Sequence, residues 1–151
     1  MIKNILISFL CFLFISVANA KQIKITSDKL EIVRTENISI FSGNVYALED
    51  NLEIWSERLI LTSSEDEKEV KEINAHGNVK ILREELSIHG NKAKYHPNKN
   101  ELVVFGEVEV LQNKNIILCD KIVVDLENSS SIISSGSASR VEALIISENK
   151  K

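Results

Sequence analysis

Residues 75–81 read Ala75-His76-Gly77-Asn78-Val79-Lys80-Ile81. Apolar and polar residues alternate on both sides of a glycine. Alternation with a period of two is what a strand with one buried face requires, whereas a helix needs apolar residues every three or four places. The pattern recurs along the chain. Gly43-Asn44-Val45 precedes this stretch, Gly106-Glu107-Val108 follows it, and Gly136 follows in turn. A second mark stands at the thirteenth place after each of the first three glycines: Ser56-Glu57-Arg58-Leu59, Gly90-Asn91-Lys92-Ala93 and Cys119-Asp120-Lys121-Ile122. It also stands at Ser27-Asp28-Lys29-Leu30, ahead of the first glycine. The repeating unit is therefore about 29 residues long, and the longer interval, from Gly43 to Gly77, holds an insertion. The acidic stretch 63–71 is that insertion, and its composition predicts a solvated loop.

Aligning the repeats on their glycines predicts a register. Four places before the glycine stand Ser39, Ile73 and Leu102, and two places before stand Phe41, Ala75 and Val104. Two places after it stand Val45, Val79 and Val108, and four places after stand Ala47, Ile81 and Val110. Ile54, Ile88 and Ile117 follow at plus eleven, then Leu59, Ala93 and Ile122 at plus sixteen. Only Ser39 breaks this apolar set. The places between hold Asn44, Asn78, Glu107, Tyr46, Lys80 and Glu109, which point outward. Each repeat thus reads as two or three short strands joined by a corner. Stacking the repeats lays like on like and builds a continuous apolar interior of about four rungs. The third repeat has the least secure register, because Ile116, Leu118 and Val123 make its outer face apolar too. About ten short strands are expected in all, and no window after residue 20 reads as an amphipathic helix.

The ends and the composition narrow the class. Lys3 precedes an uncharged apolar run from Ile5 to Val17, and Ala18-Asn19-Ala20 supplies small residues where a signal peptidase reads. This predicts a secretory signal over 1–20, cleaved before Lys21. The run is short for a membrane span, which needs about 20 apolar residues. The rest reads as one domain over 21–147 and a polar tail over 148–151. Removing Lys3 leaves 17 Lys+Arg against 22 Asp+Glu, a charge of −5, which argues against nucleic acid as a partner. Cys119 is then the only cysteine, so neither an internal disulfide nor a cysteine metal cluster can form.

Candidate chemistry is sparse. His76, His89 and His96 match no metal-ligand spacing, and no nucleophile elbow, phosphate loop or nucleotide fingerprint is present. Neither a catalytic group, a metal nor a cofactor is expected. The column Gly43, Gly77, Gly106 and Gly136 shares parity with the apolar face. It reads either as a bend in a curved sheet or as a trench left free of side chains. Asp28, Glu57, Asn91 and Asp120 open the corners, and Lys29, Arg58, Lys92 and Lys121 follow them. Those basic residues either touch phosphates or offset their acidic neighbours in solvent. At the ends, Ile23 and Ile25 fit the inward register of a first strand, while Val141, Ala143 and Ile145 fall in a last strand whose inward face is unresolved. Such edges either add a strand from another molecule or are guarded by Lys21, Lys24, Glu148, Lys150 and Lys151.

The order Ile25-Thr26-Ser27-Asp28-Lys29-Leu30, Phe41-Ser42-Gly43-Asn44-Val45, Ser56-Glu57-Arg58-Leu59, Ala75-His76-Gly77-Asn78-Val79 and His89-Gly90-Asn91-Lys92-Ala93 resembles the OstA-like family of lipopolysaccharide-transport proteins. The resemblance covers nearly all of the chain after residue 20. It implies a twisted, slightly open β-jellyroll in the periplasm. Such proteins join end to end, and to related jellyroll domains of the inner-membrane and outer-membrane transport components. Lipopolysaccharide passes along that bridge with its lipid A acyl chains in the groove. By position Ile23, Ile25, Leu30, Ile32, Phe41, Val45, Ile54, Val79, Ile81, Ile88, Val104, Val108 and Ile117 would line the groove. The energy comes from elsewhere, so an enzyme active site is not implied. Three alternatives stand beside this reading. One is a structural β-solenoid that polymerises and carries nothing, with a filled interior and no trench at the glycines. Another is a membrane-anchored relative of the same pathway. The third is a glycan-binding or hydrolytic domain, against which the outward place of the single Trp55 argues.

Overall fold

A computed structural model describes residues 21–147. The described residues form ten strands: β1 (Ile23–Thr26), β2 (Lys29–Val33), β3 (Ile38–Glu49), β4 (Leu52–Ser63), β5 (Val70–Arg83), β6 (Leu86–His96), β7 (Glu101–Gln112), β8 (Asn115–Asp125), β9 (Ser130–Ser134) and β10 (Glu142–Leu144). All pairings are antiparallel, and strands β3 to β8 each pair with the next in sequence. β1 and β2 share one edge on β3, and β9 and β10 share the other on β8. The sheet does not close on itself.

The expected strand number holds, but the six central strands are 11 to 14 residues long rather than short. The corner lies inside each strand as a β-bulge. Pairing skips from Ser42↔Arg58 to Val45↔Ser56, which sets Gly43-Asn44 against Glu57 alone. Gly77-Asn78 stands likewise against Asn91, and Gly106-Glu107 against Asp120. An extra residue on one strand bends it and increases its twist. Here the bends fall at one level in successive rungs. They divide the sheet into two half-sheets that fold toward each other. The first holds β1, β10 and the parts of β3 to β8 near Val45, Ile54, Val79, Ile88, Val108 and Ile117. The second holds β2, β9 and the parts near Phe41, Leu59, Ala75, Ala93, Val104 and Ile122. A repeat is therefore a hairpin of two long bent strands, and the outer rungs are broken at the corner into β1/β2 and β9/β10.

Every inward place of the predicted register except Ser39, Phe41 and Ile117 is fully buried, and these three are half-buried. Asn44, Asn78, Lys80, Glu107 and Glu109 are exposed or nearly so, and Tyr46 is half-buried. In the third repeat Ile117 faces inward opposite Val110, and Cys119 is buried, which leaves Ile116 and Leu118 on the outer face. Of the stretch 63–71 expected as a loop, only 64–69 forms the turn between β4 and β5, closed by Ser64 N–H to Glu69 C=O at 2.8 Å, while Ser63, Val70 and Lys71 belong to the strands and Val70 packs against the core. The last strand is only Glu142–Leu144, and Ala143↔Ile117 sets its inward residue. Val141 and Ile145 lie just beyond it and are 45% and 73% exposed. The expected signal at 1–20 and the tail at 148–151 lie outside the described residues.

Candidate functional site

The place where a ligand could be held is the space between the two half-sheets. Its lining comes from both: Ala47, Leu52 and Ile54 on one side meet Ile73 and Tyr95 on the other. Val45, Ile54, Val79, Ile81, Ile88, Val104 and Val108 are all within 3% of full burial. Ile23, Ile25, Phe41 and Ile117 are half-buried and pack against them. Leu30 and Ile32 face the same way, opposite Phe41 and Ser39, but are 51% and 60% exposed where β2 forms the edge. The interior is thus filled by its own side chains at the centre. It opens toward the β8–β9 end, where a cavity of about 150 Å³ lies between Leu86, Val110 and Ile117 of the first half-sheet and Ile122, Val124 and Ile133 of the second.

The glycine column does not make a trench. Gly43, Gly77 and Gly106 have φ near +80° (79°, 80° and 83°), and the residues after them are also left-handed. Each is the bulge residue itself, a conformation that costs an L side chain about 1–2 kcal/mol. The space where a Cβ would project is already occupied. Asp28 covers Gly43, Glu57 covers Gly77 and Asn91 covers Gly106, with side-chain carbons about 3 Å from the ideal Cβ (3.0, 3.0 and 2.9 Å). Gly136 is different: its φ is not positive, and it donates its N–H to Asp120 Oδ2 at 2.7 Å. So the bend reading holds for the first three and the trench reading fails. The glycine that does face the interior is Gly90, whose ideal Cβ would lie 2.6 Å from Val104 Cγ1.

This also settles what the corner carboxylates do. Asp28 accepts from Asn44 Nδ2 at 2.7 Å and Glu57 from Asn78 Nδ2 at 2.5 Å. Asp120 accepts from Ser139 Oγ as well as from Gly136, and these bonds hold its carboxyl below the ordinary aspartate range. Asp28 and Glu57 therefore each clamp the bulge of the next repeat, and Asp120 holds the turn at Gly136. Sequence separation hid this partner, since each lies 16 or 21 residues away.

A further set of polar groups lies at the seam, where the free margins of the two half-sheets meet. Lys21 Nζ donates to Asn100 Oδ1 at 2.7 Å and to Pro97 C=O at 3.3 Å. Arg83 Nη1 donates to Leu126 C=O at 2.8 Å. Glu49 is 5% exposed, lies 3.8 Å from Lys21 Nζ, and faces Tyr95. Burial, then the nearby Glu49 carboxylate, pushes the Tyr95 phenol far above its ordinary value. Sequence reasoning missed Glu49, Arg83, Tyr95 and Asn100, and read Lys21 only as an edge guard. A signal was available: Glu49, Arg83 and Gln112 all stand six places after their glycines, on the inward parity, where the repeat should be apolar.

His76 faces Lys92 and Arg58, and burial with those charges lowers its affinity for a proton. His96 lies 3.6 Å from Glu72 and His89 is exposed on the outer face. Burial pushes the Cys119 thiol up, which makes it a poor nucleophile at neutral pH.

The chain matches the model of a family described as LptA/(LptD N-terminal domain) LPS transport protein over residues 24–130. Among solved structures it is similar to that of LptH, the LptA homologous periplasmic component of the conserved lipopolysaccharide transport device from Pseudomonas aeruginosa. That likeness has a TM-score of 0.75 at 16% identity and covers 84% of this chain and 96% of that one. At this identity it shows a shared fold, the open LptA-like β-jellyroll. No curated protein sequence matches the chain.

Proposed function

The chain belongs to the family of LptA and LptD N-terminal-domain lipopolysaccharide transport proteins, and from that premise we propose that it is a periplasmic bridge component carrying lipopolysaccharide from the inner to the outer membrane. The observation that carries the reading is the continuous apolar interior between the half-sheets, joined to the family match over 24–130. Lipid A acyl chains would lie along the inward column, in contact with Val45, Ile54, Val79, Ile81, Ile88, Val104, Val108 and Ile117. Ile23, Ile25, Leu30, Ile32 and Phe41 would take them at the first edge. Transfer of a lipid along such a path breaks no covalent bond, so the role requires no catalytic group. The edges formed by β1/β2 and β9/β10 suit end-to-end addition of strands, with Ile23 and Ile25 at one end and Val141, Ala143 and Ile145 at the other. The partners would be further copies and the related jellyrolls of the two membranes.

A second reading has an observation in its favour. A structural polymer that carries nothing should have a filled interior without a glycine trench, and the centre of this protein has both properties. A photo-crosslinking amino acid separates the two. Placed at inward Val79 it should capture lipopolysaccharide in living cells, and placed at outward Lys80 it should not. Capture at neither place, in a folded and exported protein, would leave the structural polymer. The mass of that exported protein also tests whether it begins at Lys21 or keeps residues 1–20 as an anchor.

A further inference from the structure

The margins of the two half-sheets are held together by polar side chains, and these cluster at one point of the seam. Lys21 enters from the strand-β1 side and reaches the turn between β6 and β7. Arg83, at the end of β5, reaches the backbone after β8. Glu49 and Tyr95, at the ends of β3 and β6, meet between them. All of these lie on the wall of one small polar cavity of about 70 Å³, together with Asn100 and Leu126. Arg83 also lines the larger cavity between Leu86 and Ile133, whose wall is half aliphatic and half polar. Lys21 and Glu49 also line a wider gap that separates Ile23 from Val70 and Pro97.

Glu49 is the unusual member. Its side chain is only 5% exposed, yet neither oxygen makes a full hydrogen bond. A buried carboxylate in that state depends on a nearby cation, and removing the cation leaves a charge that is costly to keep out of water. We propose that Lys21, Arg83 and the Glu49–Tyr95 contact form a polar latch across the seam. Closed, the latch holds the half-sheets together over the filled centre. Open, it lets them part so that an acyl chain can insert from the side. This rests on the carrier reading for its ligand but not for its mechanics. Glu49 is the part that makes the latch reversible, because in the open state its carboxylate regains water.

Cys119 gives a direct probe, since it is buried in the interior and is the only thiol of a full chain carrying Cys11→Ser. The measurement is the rate of its modification by N-ethylmaleimide in that chain, with and without Lys21→Met and Arg83→Met together. Amide hydrogen exchange at Leu59 and Ile88 in the same samples reports global unfolding. The expected result is a rise in thiol modification on the order of tenfold beyond any rise in exchange. Lys80→Met, which removes one outward charge, should leave both rates unchanged. If modification and exchange rise together, the residues contribute only stability and the latch is overturned. If Val79 captures lipopolysaccharide while Cys119 reacts no faster in the double variant, the latch fails and the carrier stands. If Cys119 becomes reactive while Val79 captures nothing, the latch stands and the carrier fails.

Discussion

Replacing Gly77 by alanine should destabilise the protein by about 2–3 kcal/mol, the sum of a backbone cost and a lost hydrogen bond. Gly77 has φ +80°, and holding an alanine there costs about 1–2 kcal/mol. The new methyl would also collide with the Glu57 carboxyl, whose Cδ lies 2.8 Å from the ideal Cβ position. Glu57 can swing into solvent, so the collision itself is relieved cheaply. What is lost is its bond to Asn78 Nδ2, worth about 1 kcal/mol for an exposed, charge-assisted contact. Urea unfolding followed by the fluorescence of Trp55, the single tryptophan, reads the change. For a slope within the usual range of about 1–3 kcal/mol per molar, the midpoint should fall by about 0.7–3 M. Two controls isolate the cause. Gly136→Ala should stay within about 0.5 kcal/mol, because its φ is ordinary and its nearest contact, Asp120 Oδ2, is 3.5 Å away. In a Glu57→Ala background, Gly77→Ala should cost only the backbone strain, so the two changes should not add. A Gly77→Ala protein as stable as the parent, or one no worse than Gly136→Ala, would refute the clamped-bulge account and restore a trench with room for a methyl.

Gly90→Ala should cost about 1–3 kcal/mol by overpacking against Val104 Cγ1, 2.6 Å from the ideal Cβ, and Val104→Ala should recover part of that loss, both measured as shifts in the urea midpoint. Acid should release the segment around Gly136 and Ser139. Asp120 has a folded pKa below its unfolded value of about 3.9, so its contribution is full above that value and is lost as pH falls through the lower, folded one. Amide exchange at Gly136 should therefore accelerate, relative to its intrinsic rate, only below about pH 4, and Asp120→Asn should abolish that pH dependence.

The strand register was legible because the interior accepts little except aliphatic side chains. Once three repeats were aligned on Gly43, Gly77 and Gly106, the inward residues of the core followed by parity. The resemblance then supplied the jellyroll and the family, and the match over 24–130 bears out the family while the likeness to LptH bears out the fold. Strand length was not legible. A Gly-Asn pair inside an alternating run reads equally as a turn between two strands or as a bulge within one, and only the pairing Ser42↔Arg58 and Val45↔Ser56 decides it. Parity also misled at the glycines themselves. The inward residues two and four places to either side keep their phase through the bulge, but the bulge residue itself has a left-handed backbone, so a glycine in phase with the core meets Asp28 or Glu57 instead. The seam was hidden for another reason. Lys21 and Asn100 lie 79 residues apart, and Arg83 and Leu126 lie 43 apart, so nothing local joins them.

A filled interior and a carrier role conflict only if the half-sheets are fixed. The core that would have to be displaced is aliphatic, with Val79, Ile81, Ile88, Val104 and Val108 in its middle. Parting the half-sheets exposes that surface at about 25 cal/mol per Å². An acyl chain laid between them covers it again and adds its own burial, about 0.8 kcal/mol for each CH₂, so ten methylenes would return roughly 8 kcal/mol. The groups at the seam resist with hydrogen bonds worth about 1 kcal/mol each. Parting is therefore unfavourable until a chain arrives, and a chain of that length would offset part of its cost. At its centre the inward column is aliphatic apart from Ser56 at the corner of β4, so a chain would gain little by stopping at any one rung. A polymer with no cargo has no use for a seam that parts. It would be served better by apolar residues at Glu49 and Arg83, where the repeat pattern calls for them, and this protein instead keeps a buried carboxylate and a guanidinium at the margin where the half-sheets meet.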